Sequence, residues 1–172
     1  MSVIVVDIES DGPIPGDYSM ISFGAVIVDE LLDKTFYGQL KPVSDNWMPV
    51  ALKISTHTRE ETLAFNDPEL VMTEFKQWIS NNSEGRPLFY SDNNGFDWQF
   101  INWYFIHFLG ENPFGYSSTN IGSLYKGLVK DVFQNFKHLR NIKHSHHPVE
   151  DALGNARALL AMKNKMGLKV GV

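Results

Sequence analysis

The sequence predicts an α/β sheet protein that begins with an antiparallel meander of three strands and continues into helices. Two observations carry this. Three runs rich in Val, Ile and Phe follow one another within the first 41 residues, separated by short breaks, and from Pro68 onward apolar residues recur at helical spacing with one further short strand between the helices. The first strand is Val3–Val6 running into Asp7-Ile8-Glu9, a nearly continuous apolar run of the kind buried on both faces, and Asp11-Gly12-Pro13 stops it. Met20–Asp29 is the second strand, a turn at Glu30–Lys34 follows, and Thr35–Lys41 is the third, closing at Pro42.

The stretch holding Trp47 and Pro49 reads as irregular. Pro68 then opens a helix to about Ser80, with Val71, Phe75 and Ile79 repeating every four residues beside Trp78. Pro87–Tyr90 is a short strand, broken by Asp92-Asn93-Asn94-Gly95. Phe96–Phe108 is a helix with Phe100, Ile101, Tyr104, Phe105 and Phe108 along one stripe. Phe114–Ser123 reads as either a short strand or a connection, and Leu124–Phe136 as a helix. The last helix starts near Pro148 and stops at Gly167. No repeat or linker divides the chain, so residues 1–172 are expected to form a single domain.

Composition narrows the function classes. Absence of Cys excludes disulfides, thiol nucleophiles and thiolate metal sites. No apolar run is long enough to span a bilayer and no secretory signal is visible, so a cytoplasmic protein without a membrane partner is expected. With 15 Lys+Arg against 20 Asp+Glu the formal charge is −5, which argues against a simple basic-patch binder of nucleic acid. Two bound divalent cations would bring −5 to about −1 and concentrate positive charge where a phosphate must sit.

Acids interrupt the apolar elements at specific places. Asp7 and Glu9, two apart on a strand, point to the same face at the end of a buried run, where unpaired charge is costly. A metal ion would compensate them; a polar strand end facing water is the ordinary alternative. Asp97 opens the middle helix and Asp151 the last, positions that the helix dipole alone also favours. Ahead of Asp151 stand His144, His146 and His147, three of the six histidines within four positions.

Together, Asp7-Ile8-Glu9-Ser10-Asp11-Gly12, Asn93-Asn94-Gly95-Phe96-Asp97 and His146-His147-Pro148-Val149-Glu150-Asp151 resemble the motifs of the DEDD exonuclease superfamily, specifically its DEDDh branch. The resemblance spans nearly the whole chain, including Ala51–Ile79, and is nearest to small exoribonuclease members. It implies an RNase H-like fold, with a central mixed sheet of the meander plus parallel strands, flanked by helices. It also implies that Asp7, Glu9, Asp97 and Asp151 bind or orient two divalent cations and that His146 takes a proton from the attacking water. The DEDDh spacing selects His146, five before Asp151, over His147, which holds the position of the tyrosine in the sister branch. His144 and His57 read as loop or polar-contact residues. A carboxylate cluster without Cys suits Mg²⁺ or Mn²⁺, and imidazole suits proton transfer near neutral pH.

The resemblance further implies a 3′–5′ exonuclease on single-stranded ends, releasing nucleoside 5′-monophosphates, with RNA favoured over DNA and a homodimer by analogy. The alternatives are a repair or proofreading exodeoxyribonuclease and a catalytically silent nucleic-acid-binding module on the same fold. Three departures bear on substrate: Ser10-Asp11 follows the motif's Glu, Asp92 stands where relatives often have His, and Ser55-Thr56-His57-Thr58 keeps only the last residue of a common segment. Trp98 and Trp103 are the candidate exposed rings of an aromatic stripe that otherwise reads as core. Lys137, Arg140 and Lys143 could meet phosphates or form a solvated face.

Overall fold

The computed structural model describes residues 1–141 and 146–170. Its five-stranded sheet has the order β3-β2-β1-β4-β5. β1 (Ser2–Ser10), β2 (Met20–Ile27) and β3 (Thr35–Gln39) form the antiparallel meander, and β4 (Pro87–Ser91) and β5 (Ser118–Asn120) add in parallel beside β1. This is the mixed, RNase H-like sheet that the sequence led us to expect, with β1 at its centre.

The central position of β1 explains its composition. Strand side chains alternate between faces, and both faces are covered. Ile4, Val6 and Ile8 pack with Val71, Phe75 and Ile79 of α3 (Pro68–Asn82) and with Phe100, Tyr104 and Phe105 of α4 (Asn94–Leu109). Val3 and Val5 pack on the other face with Ile121 and Tyr125 of α5 (Ile121–Val129) and Ala152, Ala156, Leu159 and Met162 of α6 (Pro148–Met166). Asp7 and Glu9 share the parity of Val3 and Val5, so the β1 pleat aims them toward the α6 side.

Local chemistry sets the helix ends. The Asp67 carboxylate accepts the Glu69 and Leu70 amides at the start of α3, and Gly110 and Gly167 close α4 and α6 in the left-handed conformation. The segment expected to be irregular contains two short helices, α1 (Pro49–Ser55) and α2 (Arg59–Leu63). Thr58 and Glu61 form a reciprocal capping box for α2, a role for the one residue kept from the family segment. The helix expected over Leu124–Phe136 instead runs from Ile121 to Val129. Lys130 turns left-handed there, and the Asp131 carboxylate takes the Phe133 amide, offering the backbone a turn in place of another helical bond. Among the described residues, no helix is long and apolar enough to cross a membrane.

Candidate active site

Asp7, Glu9 and Asp151 present carboxylate oxygens within 4.8 Å of one another, and so do Asp7, Asp92 and Asp97. The acids singled out by the sequence therefore converge, with Asp7 shared by both groups. Asp97 arrives on the first turn of α4, directly after the carboxyl end of β4. Asp151 arrives because of Gly24. Gly24 lies opposite Asp7 in the β1–β2 pair, and a Cβ there would sit 2.3 Å from the Val149 nitrogen and 2.5 Å from the Pro148 carbonyl carbon. Only a residue without a side chain lets the start of α6 rest on β2, one turn from Asp7.

The register shifts between Glu9 and Ser10, and beyond this irregularity Asp11 turns to other partners. Its fully buried carboxylate accepts the Ser19 amide at 2.6 Å and pairs with Arg59 at 2.9 Å. The extra acid of the first motif thus braces the β1–β2 connection rather than joining the cluster.

The histidines separate by geometry. His146 donates its backbone N–H to Asp151 Oδ2 at 2.9 Å, and its Nδ1 lies 3.8 Å from Glu9 Oε1. Its backbone is left-handed at φ 57°, uncommon outside glycine and concentrated at functional sites. The His147 ring stacks on Tyr37 of β3 at 5.1 Å, and the His57 ring meets Phe65 edge-on. Lys143 and His144 lie outside the described residues.

Burial and mutual repulsion dominate the electrostatics. Burial first, then the charges of Asp97, Asp92, Asp151 and Glu9, hold the Asp7 carboxyl well above the usual carboxylate range. Burial and Asp92 do the same to Asp97, against hydrogen bonds from Ser91 and the Ile8 amide. Burial and Asp151 push Glu9 up to about 7. Among the described residues, Asp97 Oδ2 is buried with no hydrogen-bond partner. Oxygens crowded at this separation, one of them unsatisfied, fit hard divalent cations, which would relieve both the repulsion and the orphaned atom.

Asp92 is the residue whose role the sequence did not disclose. Its carboxylate accepts Arg140 Nη2 at 2.5 Å and Asn155 Nδ2 at 3.4 Å, while its carbonyl accepts Asn120 Nδ2 at 2.7 Å. Arg140, considered above as a phosphate contact, is instead 5% exposed, lies 5.0 Å over the Phe136 ring and balances Asp92. The offset Asp92–Arg140 has no local spacing signature, because the pair joins the β4–α4 corner to a turn 48 residues away.

Two hollows meet at the acids. One, of about 550 Å³, has Asp7, Asp92 and Asp97 on one wall and Lys126, Asn135 and Lys137 on another. The other, of about 290 Å³, is apolar, lined by Pro13, Met48, Ala51 and Ile54. Glu9 and Phe96 border both. Met48, at the N-cap of α1, and Ala51 and Ile54 within it stand three residues apart and so share one side of that short helix. Trp98 and Trp103 lie elsewhere, half-buried on a third hollow with Pro15, and Trp103 stacks on His107 at 4.3 Å.

No protein-family model matches the chain. Over 128 residues it is 40% identical to the 3′-5′ DNA exonuclease Cap18 of Escherichia coli, covering 73% of this chain and 68% of that protein. The nuclease domain of 3′hExo, a DEDDh family member bound to rAMP, superposes with a TM-score of 0.78 at 15% identity, over 99% of this chain and 96% of that one. Escherichia coli exonuclease I in complex with a dA16 oligonucleotide superposes with a TM-score of 0.76 at 15% identity, over 96% of this chain and 41% of that one. At those identities the superpositions establish the fold, and the sequence relative establishes the kinship. The converging acids, the RNase H-like sheet and a relative 40% identical over most of both chains lead to one conclusion: this chain belongs to the DEDDh family of 3′–5′ exonucleases.

Proposed function

We propose that the chain is a divalent-metal-dependent 3′–5′ exonuclease that removes nucleoside 5′-monophosphates from single-stranded ends, with DNA as its preferred polymer. The observation that carries the reading is the meeting of an apolar hollow and a cation-bearing hollow at one carboxylate cluster, with Glu9 and Phe96 on both borders. An enzyme that trims ends needs such an arrangement: an apolar surface for the terminal nucleoside, the reacting phosphate beside the acids and a cation-lined path for the rest of the strand.

In this reading Asp7, Glu9, Asp97 and Asp151 hold two Mg²⁺ or Mn²⁺ ions. When bound, such ions lower the pKa of a water and stabilise the departing oxygen. His146 accepts the proton of the attacking water as the new P–O bond forms and the P–O3′ bond breaks. Its position beside Glu9, with its own amide on Asp151, supports that role. Arg140 pairs with the Asp92 carboxylate and steadies the wall next to Asp7 and Asp97. Pro13, Met48 and Ile54 give the terminal nucleoside apolar contacts that do not depend on base identity.

DNA is favoured because the relative at 40% identity is named for DNA. RNA, expected from the chain's nearness to small exoribonucleases, is the second reading, and the DEDDh neighbour holding rAMP keeps it in play. The test is the ratio of kcat/KM for sequence-matched deoxy- and ribo-oligonucleotides, with a third carrying one 2′-hydroxyl at the 3′ end. A ratio above about tenfold toward DNA is expected, on the scale of one lost or clashing polar contact; equal rates, or faster RNA, would overturn the polymer preference. The homodimer implied by the resemblance is checked by sedimentation at micromolar concentration, where a monomer removes it.

A further inference from the structure

Between α5 and the turn at Lys137–Leu139, the chain builds a short arm that the reaction above does not use. The arm is firmly mounted. Asp131 Oδ1 accepts the Phe133 amide at 2.9 Å, and Asn135 Oδ1 accepts the Lys137 amide at 3.1 Å. Phe136 is buried at 3% exposure under the Arg140 guanidinium, which is itself anchored on Asp92 in the acid cluster. At the tip of this built structure Phe133 is 93% exposed and Val132 68%. An aromatic ring left in water on an ordered turn forgoes the stabilisation that burial would give it.

Position and charge indicate what covers it. Asn135 and Lys137 line the hollow next to the acids, and Phe133 is two residues from Asn135, so its Cα lies within about 7 Å of that wall. Lys126 lines the same hollow, and exposed Lys130 closes α5 at the base of the arm. An exposed ring two residues along the chain from a hollow lined by Lys126 and Lys137 supplies the combination that binds single strands: a face for a base and cations for nearby phosphates. A stable protein interface needs about 800 Å² per partner, more than one Phe and one Val present.

We propose that Phe133 is a stacking platform for a base upstream of the scissile phosphodiester, with Lys126 and Lys137 on the phosphates of the same stretch. The assignment rests on the exonuclease reading only for the direction of the strand. It makes the arm a length sensor: a dinucleotide ends before reaching it, and a longer oligomer gains its contacts.

The test compares Phe133→Ala, Phe133→Leu and Phe133→Tyr on 5′-labelled deoxy-dinucleotide and deoxy-decanucleotide, with fluorescence anisotropy of a labelled decathymidylate in Ca²⁺ as a binding readout. Phe133→Ala is expected to raise KM for the decanucleotide by about five- to tenfold, the lower range of one base-on-aromatic stack. Its effect on kcat should be much smaller, and its loss on the dinucleotide smaller than on the decanucleotide. Tyr restores the wild-type values and Leu does not. An unchanged decanucleotide KM, an equal loss on both lengths, or a dimer that Phe133→Ala dissociates would overturn the proposal. If the wild type cleaves neither oligomer, the exonuclease reading fails, and anisotropy alone decides the arm: weaker binding by Phe133→Ala upholds it and equal binding overturns it.

Discussion

Replacing Gly24 by alanine isolates the packing that brings Asp151 to Asp7. The added methyl would lie 2.3 Å from the Val149 nitrogen, against an ordinary contact that begins near 3.4 Å, so the start of α6 must retreat by about 1 Å. It cannot do so by swinging freely, because Ala152, Ala156, Leu159 and Met162 fix the rest of the helix in the core. The strain should cost about 1–3 kcal/mol of stability, as overpacking typically does. The displaced Asp151 and the adjoining His146 should lower kcat by about 10²-fold, the scale of a 1 Å misplacement in a positioned site. The assay is single-turnover cleavage of a labelled oligonucleotide at saturating Mg²⁺, with urea melts alongside. Gly127→Ala is the control: its Cβ meets nothing within 4 Å among the described residues, so it should keep full turnover and gain about 0.4–1 kcal/mol. A folded Gly24→Ala protein with wild-type kcat would refute the claim that this contact sets the site.

Other consequences follow from the same cluster. Because Glu9 is raised from 4.5 to about 7, the folded state holds its proton more tightly than the unfolded state between those values. Metal-free stability should therefore fall as pH rises from about 4.5 to about 7, by roughly 3 kcal/mol from Glu9 alone, with Asp7 and Asp97 acting in the same direction. Urea melts in chelator at pH 5 and pH 8 measure this, and saturating Mn²⁺ should reverse the trend. Asp97→Asn should abolish turnover yet raise the metal-free Tm at pH 8, by about 2–4 °C per kcal/mol of relieved repulsion; a lowered Tm would contradict the electrostatic account. His146→Ala should lose about 10²–10⁴-fold in kcat, whereas His147→Ala should retain most activity, and a larger loss at His147 would reverse the assignment. Arg140→Ala leaves Asp92 facing Asp7 and Asp97 without its cation and should cost about 3–5 kcal/mol in thermal or urea unfolding.

What was readable from the sequence was whatever a short-range pattern encodes. Val3–Val6 announced a strand covered on both faces, the two-residue step from Asp7 to Glu9 put both carboxylates on one side, and Pro148 and Gly167 bracketed α6. α1 and α2 escaped because seven and five residues are too few for helical periodicity to register, although Thr58 and Glu61 spelled out a capping box. The overlong helix after Leu124 hid a turn imposed by one Asp131 side chain. Arg140 could not be placed from its neighbours, since its partner Asp92 is reached only through the tertiary fold. Nor could Gly24, a residue defined by what approaches it.

The central claim is that the acids gathered around Asp7 cut nucleic acid from its 3′ end with the help of divalent ions. The most direct measurement is a gel time course on 5′-labelled single-stranded DNA and RNA, in Mg²⁺, Mn²⁺ or chelator, with Asp97→Ala protein run in parallel. The account predicts a ladder shortening from the 3′ end, dependent on metal and absent with Asp97→Ala. Cleavage by Asp97→Ala at the wild-type rate, or wild-type protein that binds both polymers and cuts neither, would contradict it.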